Sequence, residues 1–144
     1  GSFNVPYGNY NKPTVINERN ILAVRDALAN VTILNQDYYA AVRRAGEGDF
    51  VYMDPPYFRC NGSGFVDYHK TGFDVKSHER LGKLFTVLNK RGCKVMVSNS
   101  SSDVLNEFYD ENIAKIDTIC APRIINQKRV GKTSVEEYVI TNFL

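Results

Sequence analysis

The sequence predicts an α/β domain on a mainly parallel sheet with an antiparallel last strand, and three observations predict it. Short apolar runs alternate with amphipathic stretches of helical period from about residue 17 onward, the order of a chain that crosses over its own sheet. The run Phe50 to Met53 is stopped by Pro55 and Pro56, neither of which can donate to a strand ladder. The last two apolar runs, 114–121 and 135–143, are joined by a connection too short for a crossover helix, so they should pair antiparallel.

The elements follow in order. Residues 3–13, "FNVPYGNYNKP", are rich in Asn, Gly, Pro and Tyr, lack periodicity and read as loop. Asn17 is placed to cap a helix of about 17–29, with Ile21, Val24 and Leu28 on one face. "VTIL" at 31–34 reads as a strand. Asp37 or a neighbour starts a short helix, "DYYAAVRRA", ended by Gly46. The continuous run at 50–53 suits a strand covered on both faces. Pro55 keeps Asp54 extended. Asp54 therefore stands at the carboxyl end of a strand, where open α/β sheets bind ligands.

A long loop follows, with "NGSG" at 61–64 and then "FVDYHKTGFD"; loops of this length are often functional. Asp74 or Ser77 can cap a helix to about Lys90, with Leu81, Leu84, Phe85 and Leu88 as its apolar stripe and Gly92 as its stop. "CKVMVSN" at 93–99 is a strand with Ser98 and Asn99 at its carboxyl end. Ser101 or Ser102 caps the short helix "DVLNEFYD". The strands "AKIDTICA" and "VEEYVITNF" complete the sheet.

With 144 residues the chain suffices for one domain with a core. No apolar run approaches a membrane span, and no charged-then-apolar leader is read at its start. Three cysteines, Cys60, Cys93 and Cys120, with no Cys-x-x-Cys spacing, point to a reducing cytoplasm and not to a zinc site. His69 and His78 have no ligand partner at helical spacing, so no metal is expected. The net charge is only +2, but Arg123, Lys128, Arg129 and Lys132 fall close together with no acid among them. That cluster reads either as a solvated loop or as a phosphate contact.

The motif that carries chemistry is "DFVYMDPPYF", residues 49–58, with "FNVPYGNY" upstream. Together they resemble the Dam-like, D12 class of adenine-specific DNA methyltransferases. "YHKTGFDVKSHERL" and "KVMVSNS" fit the same pattern. The resemblance implies a partial class I, Rossmann-like fold that uses S-adenosylmethionine. It implies methyl transfer to the exocyclic amine of an adenine flipped out of double-stranded DNA. On the matching positions, Asp54 and the Pro55 carbonyl would accept the amine hydrogens. Pro56 would stiffen the turn, and Tyr57 would stack on the base, with Phe58 either sharing that part or packing.

The resemblance further places Asp37 at the cofactor's adenine; the same residue fits equally as a helix N-cap. Asp54 would also lie near the cofactor's amino group. Pro6, Gly8, Tyr10 and Lys12 resemble residues that touch the DNA backbone, and Lys128, Arg129 and Lys132 would add salt-sensitive contacts. A flexible terminus is the other reading of residues 1–13.

One departure is large. The family's Phe-x-Gly-x-Gly cofactor turn has no counterpart in this sequence. The chain is therefore read as a carboxy-terminal part: 1–13 a remnant of the target-recognition region, 14–144 the carboxy-terminal part of the catalytic domain. Alone it should bind the donor weakly and not methylate DNA. The last four strands should stay together, 31–34 should be displaced, and the open edge at 50–53 should drive self-association. Two further functions fit the residues: an RNA amino methyltransferase of the same fold, against which "NVPYG" argues, and a non-catalytic nucleic-acid-binding or split subunit.

Overall fold

The computed structural model describes residues 16–58, 73–122 and 134–143. The chain divides into two units, 1–36 and 37–144. In the first, the Asn17 side chain accepts a hydrogen bond from the Asn20 backbone N–H at 3.1 Å and opens helix α1 (Glu18–Ala27), as its sequence position foretold. Its apolar residues Ile21, Val24 and Leu28 are exposed. Residues 31–34 form no strand, which corrects the expectation for "VTIL". An extended segment becomes a strand only by pairing its backbone groups, and no described strand is hydrogen-bonded to this one.

The second unit holds a four-stranded sheet with helices α2 (Tyr38–Ala41), α3 (Val75–Lys90) and α4 (Asp103–Asn106). Its strands are β1 (Phe50–Met53), β2 (Lys94–Ser100), β3 (Lys115–Pro122) and β4 (Ser134–Thr141), in the order β1-β2-β4-β3. β1 and β2 are parallel, while β4 is antiparallel to both β2 and β3. Three strands thus share one direction and only the last runs against them. Helices α2 and α4 are shorter than "DYYAAVRRA" and "DVLNEFYD" suggested. Each continues into turns after four residues, at 42–44 and from 107.

Helix α3 builds the core. Asp74 caps it by accepting from the Ser77 backbone N–H at 2.9 Å. Its stripe of Leu81, Leu84, Phe85 and Leu88 is buried against Val51 and Met53 of β1, Val95 and Val97 of β2, and Tyr138 and Ile140 of β4. Each large apolar side chain so buried contributes about 1.5–3 kcal/mol. The helix ends in a Schellman motif: the Gly92 N–H bonds the Asn89 carbonyl at 3.0 Å and the Cys93 N–H bonds the Leu88 carbonyl at 3.1 Å. Gly92 takes φ +79°, which glycine adopts without strain. The chain is thereby turned straight into β2.

β1 differs from the expected doubly covered strand. It lies at the edge of the described sheet, with Val51 and Met53 buried and Phe50 and Tyr52 more than half exposed. The four apolar residues therefore split between a core face and an open face. No described helix is long and apolar enough to cross a membrane.

Gly82 lies directly against the backbone that follows α4. It is buried on α3, and a Cβ there would collide with the Phe108 backbone carbonyl oxygen after α4. Gly82→Ala should therefore lower stability by about 1–3 kcal/mol despite its better helix propensity, the cost of overpacking exceeding the propensity gain. Urea unfolding of the two proteins measures this difference.

Candidate active site

Strand register assembles the site. Met53 pairs with Val97 in the parallel β1–β2 ladder, so the next position brings Asp54 to Ser98. Ser100 of β2 pairs with Glu137 of β4, which places Glu137 on the same face at the same end of the sheet. The side chains then meet. The Ser98 hydroxyl donates to Asp54 Oδ1 at 2.9 Å, and the Tyr52 hydroxyl lies 3.0 Å from Ser98 Oγ. The single serine proton is committed to Asp54, so Tyr52 is the donor in that second bond. Tyr57 donates its hydroxyl to Glu137 Oε2 at 3.3 Å. Burial foremost, together with the negative charges of Glu137 and Asp54, raises the Tyr57 phenol above its ordinary pKa, so it stays a donor at neutral pH.

The turn itself is held from below. Asn99 is fully buried, and its Oδ1 accepts the Phe58 backbone N–H at 2.8 Å and the Ser100 N–H at 2.9 Å. The Ser100 hydroxyl donates to the Phe58 carbonyl. With Oδ1 so used, Asn99 Nδ2 faces His78 Nδ1 at 3.4 Å, which makes Nδ1 the acceptor of a neutral ring. Phe58 is buried, its ring meeting His78 edge-on at 5.3 Å. Phe58 packs into the core, while Asp54 stays exposed and Tyr57 half-buried. A cleft of about 360 Å³ opens beside the turn, lined by Tyr38, Val42 and Phe73 together with Tyr52, Asp54, Pro55 and Pro56. Among the described residues the buried Tyr38 hydroxyl has no hydrogen-bond partner.

Asp37 is the N-cap of α2, accepting the Tyr39 N–H at 2.9 Å. Arg80 of α3 grips the same carboxylate with both terminal nitrogens, each at 3.0 Å. The hydrogen bonds from Arg80 hold the Asp37 carboxyl below its ordinary pKa.

The structure therefore brings Asp54, Tyr57, Ser98 and Asn99 together, and it sets Asp37 beside Tyr38 of the cleft. Pro6, Gly8, Tyr10, Lys12, Arg123, Lys128, Arg129 and Lys132 lie outside the described residues. Sequence reading passed over Tyr52, His78, Arg80 and Glu137 as parts of this arrangement. His78 sits on the helix stripe, three positions before Leu81, a spacing that marks an inward side chain. Glu137 offers no such sign, because its place depends on the β2–β4 register.

A mixed sheet with its last strand inserted antiparallel, and an Asp-Pro-Pro-Tyr turn at the carboxyl end of β1, matches the Rossmann-like methyltransferase fold class. A family profile described as D12 class N6 adenine-specific DNA methyltransferase matches residues 1–121. The chain belongs to that family. It is 38% identical over 145 residues to the type II methyltransferase M1.LlaDCHI of Lactococcus lactis subsp. cremoris, covering 98% of this chain and 50% of that protein. It is 39% identical over 147 residues to the type II methyltransferase M.MjaIII of Methanocaldococcus jannaschii, covering 99% and 50%. Identity to the DNA adenine methylase of Escherichia coli K12 is 28% over 138 residues, covering 95% and 49%. The chain thus spans about half the length of these curated relatives.

The buried His78 makes the turn's support pH-dependent. Desolvation pushes its pKa down from 6.5 to about 4, only partly opposed by Asp74. An unfolded chain binds that proton below about pH 6.5 and the folded chain does not until about pH 4. Stability should therefore fall as pH drops through this window, by about 1–3 kcal/mol from this group. NMR titration of the His78 ring, with urea unfolding at pH 7 and pH 5, checks both the value and the sign.

Proposed function

We propose that this chain is the carboxy-terminal catalytic part of a methyltransferase that acts on the exocyclic amine of adenine in double-stranded DNA, in the cytoplasm. Residues 1–13 then belong to the target-recognition region and 14–144 to the catalytic domain. The observation that carries this reading is the Ser98–Asp54 hydrogen bond at the carboxyl end of β1, with Tyr57 tied to Glu137 beside it. The serine bond orients the carboxylate through Oδ1 and leaves Oδ2 for an incoming N–H.

S-adenosylmethionine supplies an activated methyl group on a sulfonium centre. The chain's own residues have to ready the acceptor. Adenine's amine is a poor nucleophile because its lone pair is delocalised into the ring. Asp54 Oδ2 accepts one amine hydrogen and the Pro55 carbonyl the other. Two acceptors favour the tetrahedral nitrogen that attacks, so they bind the transition state better than the ground state. Pro56 stiffens the turn without adding a donor. Tyr57 stacks on the flipped base, offsetting part of the unstacking cost of a few kcal/mol. Once the new N–C bond has formed, the amine's extra proton passes to Asp54 or water. Asp54 needs no raised basicity for that downhill step.

The cleft suits the adenosine of such a donor. Its walls are mostly aromatic and aliphatic, and Asp37 stands next to Tyr38 as a hydrogen-bond acceptor. Pro6, Gly8, Tyr10 and Lys12, with Lys128, Arg129 and Lys132, supply backbone contacts to DNA in this reading.

The test is methyl incorporation into adenine-containing duplex DNA by the protein at its full natural length. Asp54→Asn should reduce the rate by roughly 10²–10³-fold while the fold is kept, since Asp54 is exposed and the amide retains the shape. Turnover close to the unmutated level would remove Asp54 from this role. A second expectation concerns the open β1 edge, where Phe50 and Tyr52 are exposed. The 144-residue chain should self-associate as its concentration rises, and Phe50→Glu should return it to monomer in sedimentation velocity.

A further inference from the structure

Asp37 and Arg80 are held more tightly than their exposure requires. About half of each side chain is open to solvent, a setting in which ion pairs are loose. Yet Arg80 meets the carboxylate as a two-pronged fork, with Nη1 on Oδ2 and Nη2 on Oδ1, both at 3.0 Å. Its guanidinium also lies 4.9 Å from the centre of the Tyr38 ring and 4.6 Å from that of Tyr39. The two rings meet the guanidinium from neighbouring sides, their centres 5.7 Å apart, and Tyr38 is a wall of the cleft. The Tyr39 N–H adds a third bond, to Oδ1 at 2.9 Å. A carboxylate offers about four acceptor directions. The fork and the cap use three of them and the Ala40 N–H also faces the carboxylate, so at most one is left to a ligand.

We propose that Arg80 is a positioning residue that makes Asp37 a one-direction acceptor, so that the site reads a single exocyclic N–H of the methyl donor's base and rejects the oxo-purine in its place. This rests on the reading above that Asp37 receives the donor's adenine. An unpaired carboxylate turns freely and takes hydroxyl or amine donors from several sides, two neighbouring ribose hydroxyls included. The fork removes that freedom. An amine donates to the one open lone pair. Hypoxanthine presents a carbonyl oxygen there, an acceptor against an acceptor, and leaves the carboxylate unmatched. Lysine cannot reproduce the effect, because its ammonium is a point charge without the planar fork.

The experiment is calorimetric binding of S-adenosylhomocysteine and S-inosylhomocysteine to the protein at its full natural length. The adenosyl compound should bind tighter by on the order of a hundredfold, the size expected where a site is built to pair one polar group. Arg80→Ala and Arg80→Lys should each shrink that ratio about tenfold or more, with the lysine variant giving no rescue. Their unfolding midpoints should stay near that of the unmutated protein, since the pair is exposed. Discrimination unchanged in both Arg80 variants, or absent from the unmutated protein, overturns the proposal. Asp37→Ala separates it from its premise. If that variant loses the ratio while both Arg80 variants keep it, Asp37 reads the base without Arg80 and only this inference falls. If it keeps the ratio as well, Asp37 does not face the base, and its assignment to the donor falls too.

Discussion

The buried side-chain amide of Asn99 is the interaction on which the site depends. It has no contact with solvent, so each of its polar groups needs a partner inside the protein. Its carbonyl oxygen takes two backbone N–H groups, one from the turn and one from its own strand, and its amino group faces His78. This ties the residue after Tyr57 to the end of β2. The turn therefore cannot swing away from the sheet, and Asp54 and Tyr57 are delivered to Ser98 and Glu137. An apolar residue at 99 would fill the space but leave the Phe58 N–H without this acceptor, a cost of about 1–3 kcal/mol.

Helix α3 serves core and site at once. Its inner stripe packs the sheet through Leu81, Leu84, Phe85 and Leu88, and the same inner face carries His78 beneath Asn99. Two residues along, on the exposed side, Arg80 reaches Asp37. The helix thus links the Asp-Pro-Pro-Tyr turn to the cap of α2 through side chains two residues apart. Because those side chains point to different sides of one rigid rod, the two contacts are made by the same packing. Gly82 allows that rod to settle against the backbone after α4.

Burial divides the turn by task. Phe58 and Asn99 lie in the core and hold it, while Asp54 remains exposed. A carboxylate kept at the surface is open to an incoming donor. Its charge is steadied by one hydroxyl, with Tyr52 behind it. Proline at 55 and 56 keeps competing backbone donors away from the same carboxylate.

Much of this was legible in the residues alone. Asn17, Asp37 and Asp74 announced their helices because a cap is a local hydrogen bond within three residues. The stripe on α3, the stop at Gly92 and the antiparallel last pair follow from period, glycine and connection length. Asp-Pro-Pro-Tyr identified its own turn. The segment "VTIL" misled because β propensity marks what can pair and not whether a neighbour is hydrogen-bonded to it. The apolar run of β1 by itself suggested a strand covered on both faces, whereas the resemblance already implied an open edge at 50–53, and β1 lies at the edge with Phe50 and Tyr52 exposed. Glu137 beside Tyr57, Arg80 on Asp37 and His78 under Asn99 were decided by tertiary structure. Each joins residues between 21 and 80 positions apart, and only strand register and helix rotation bring such partners within hydrogen-bond reach.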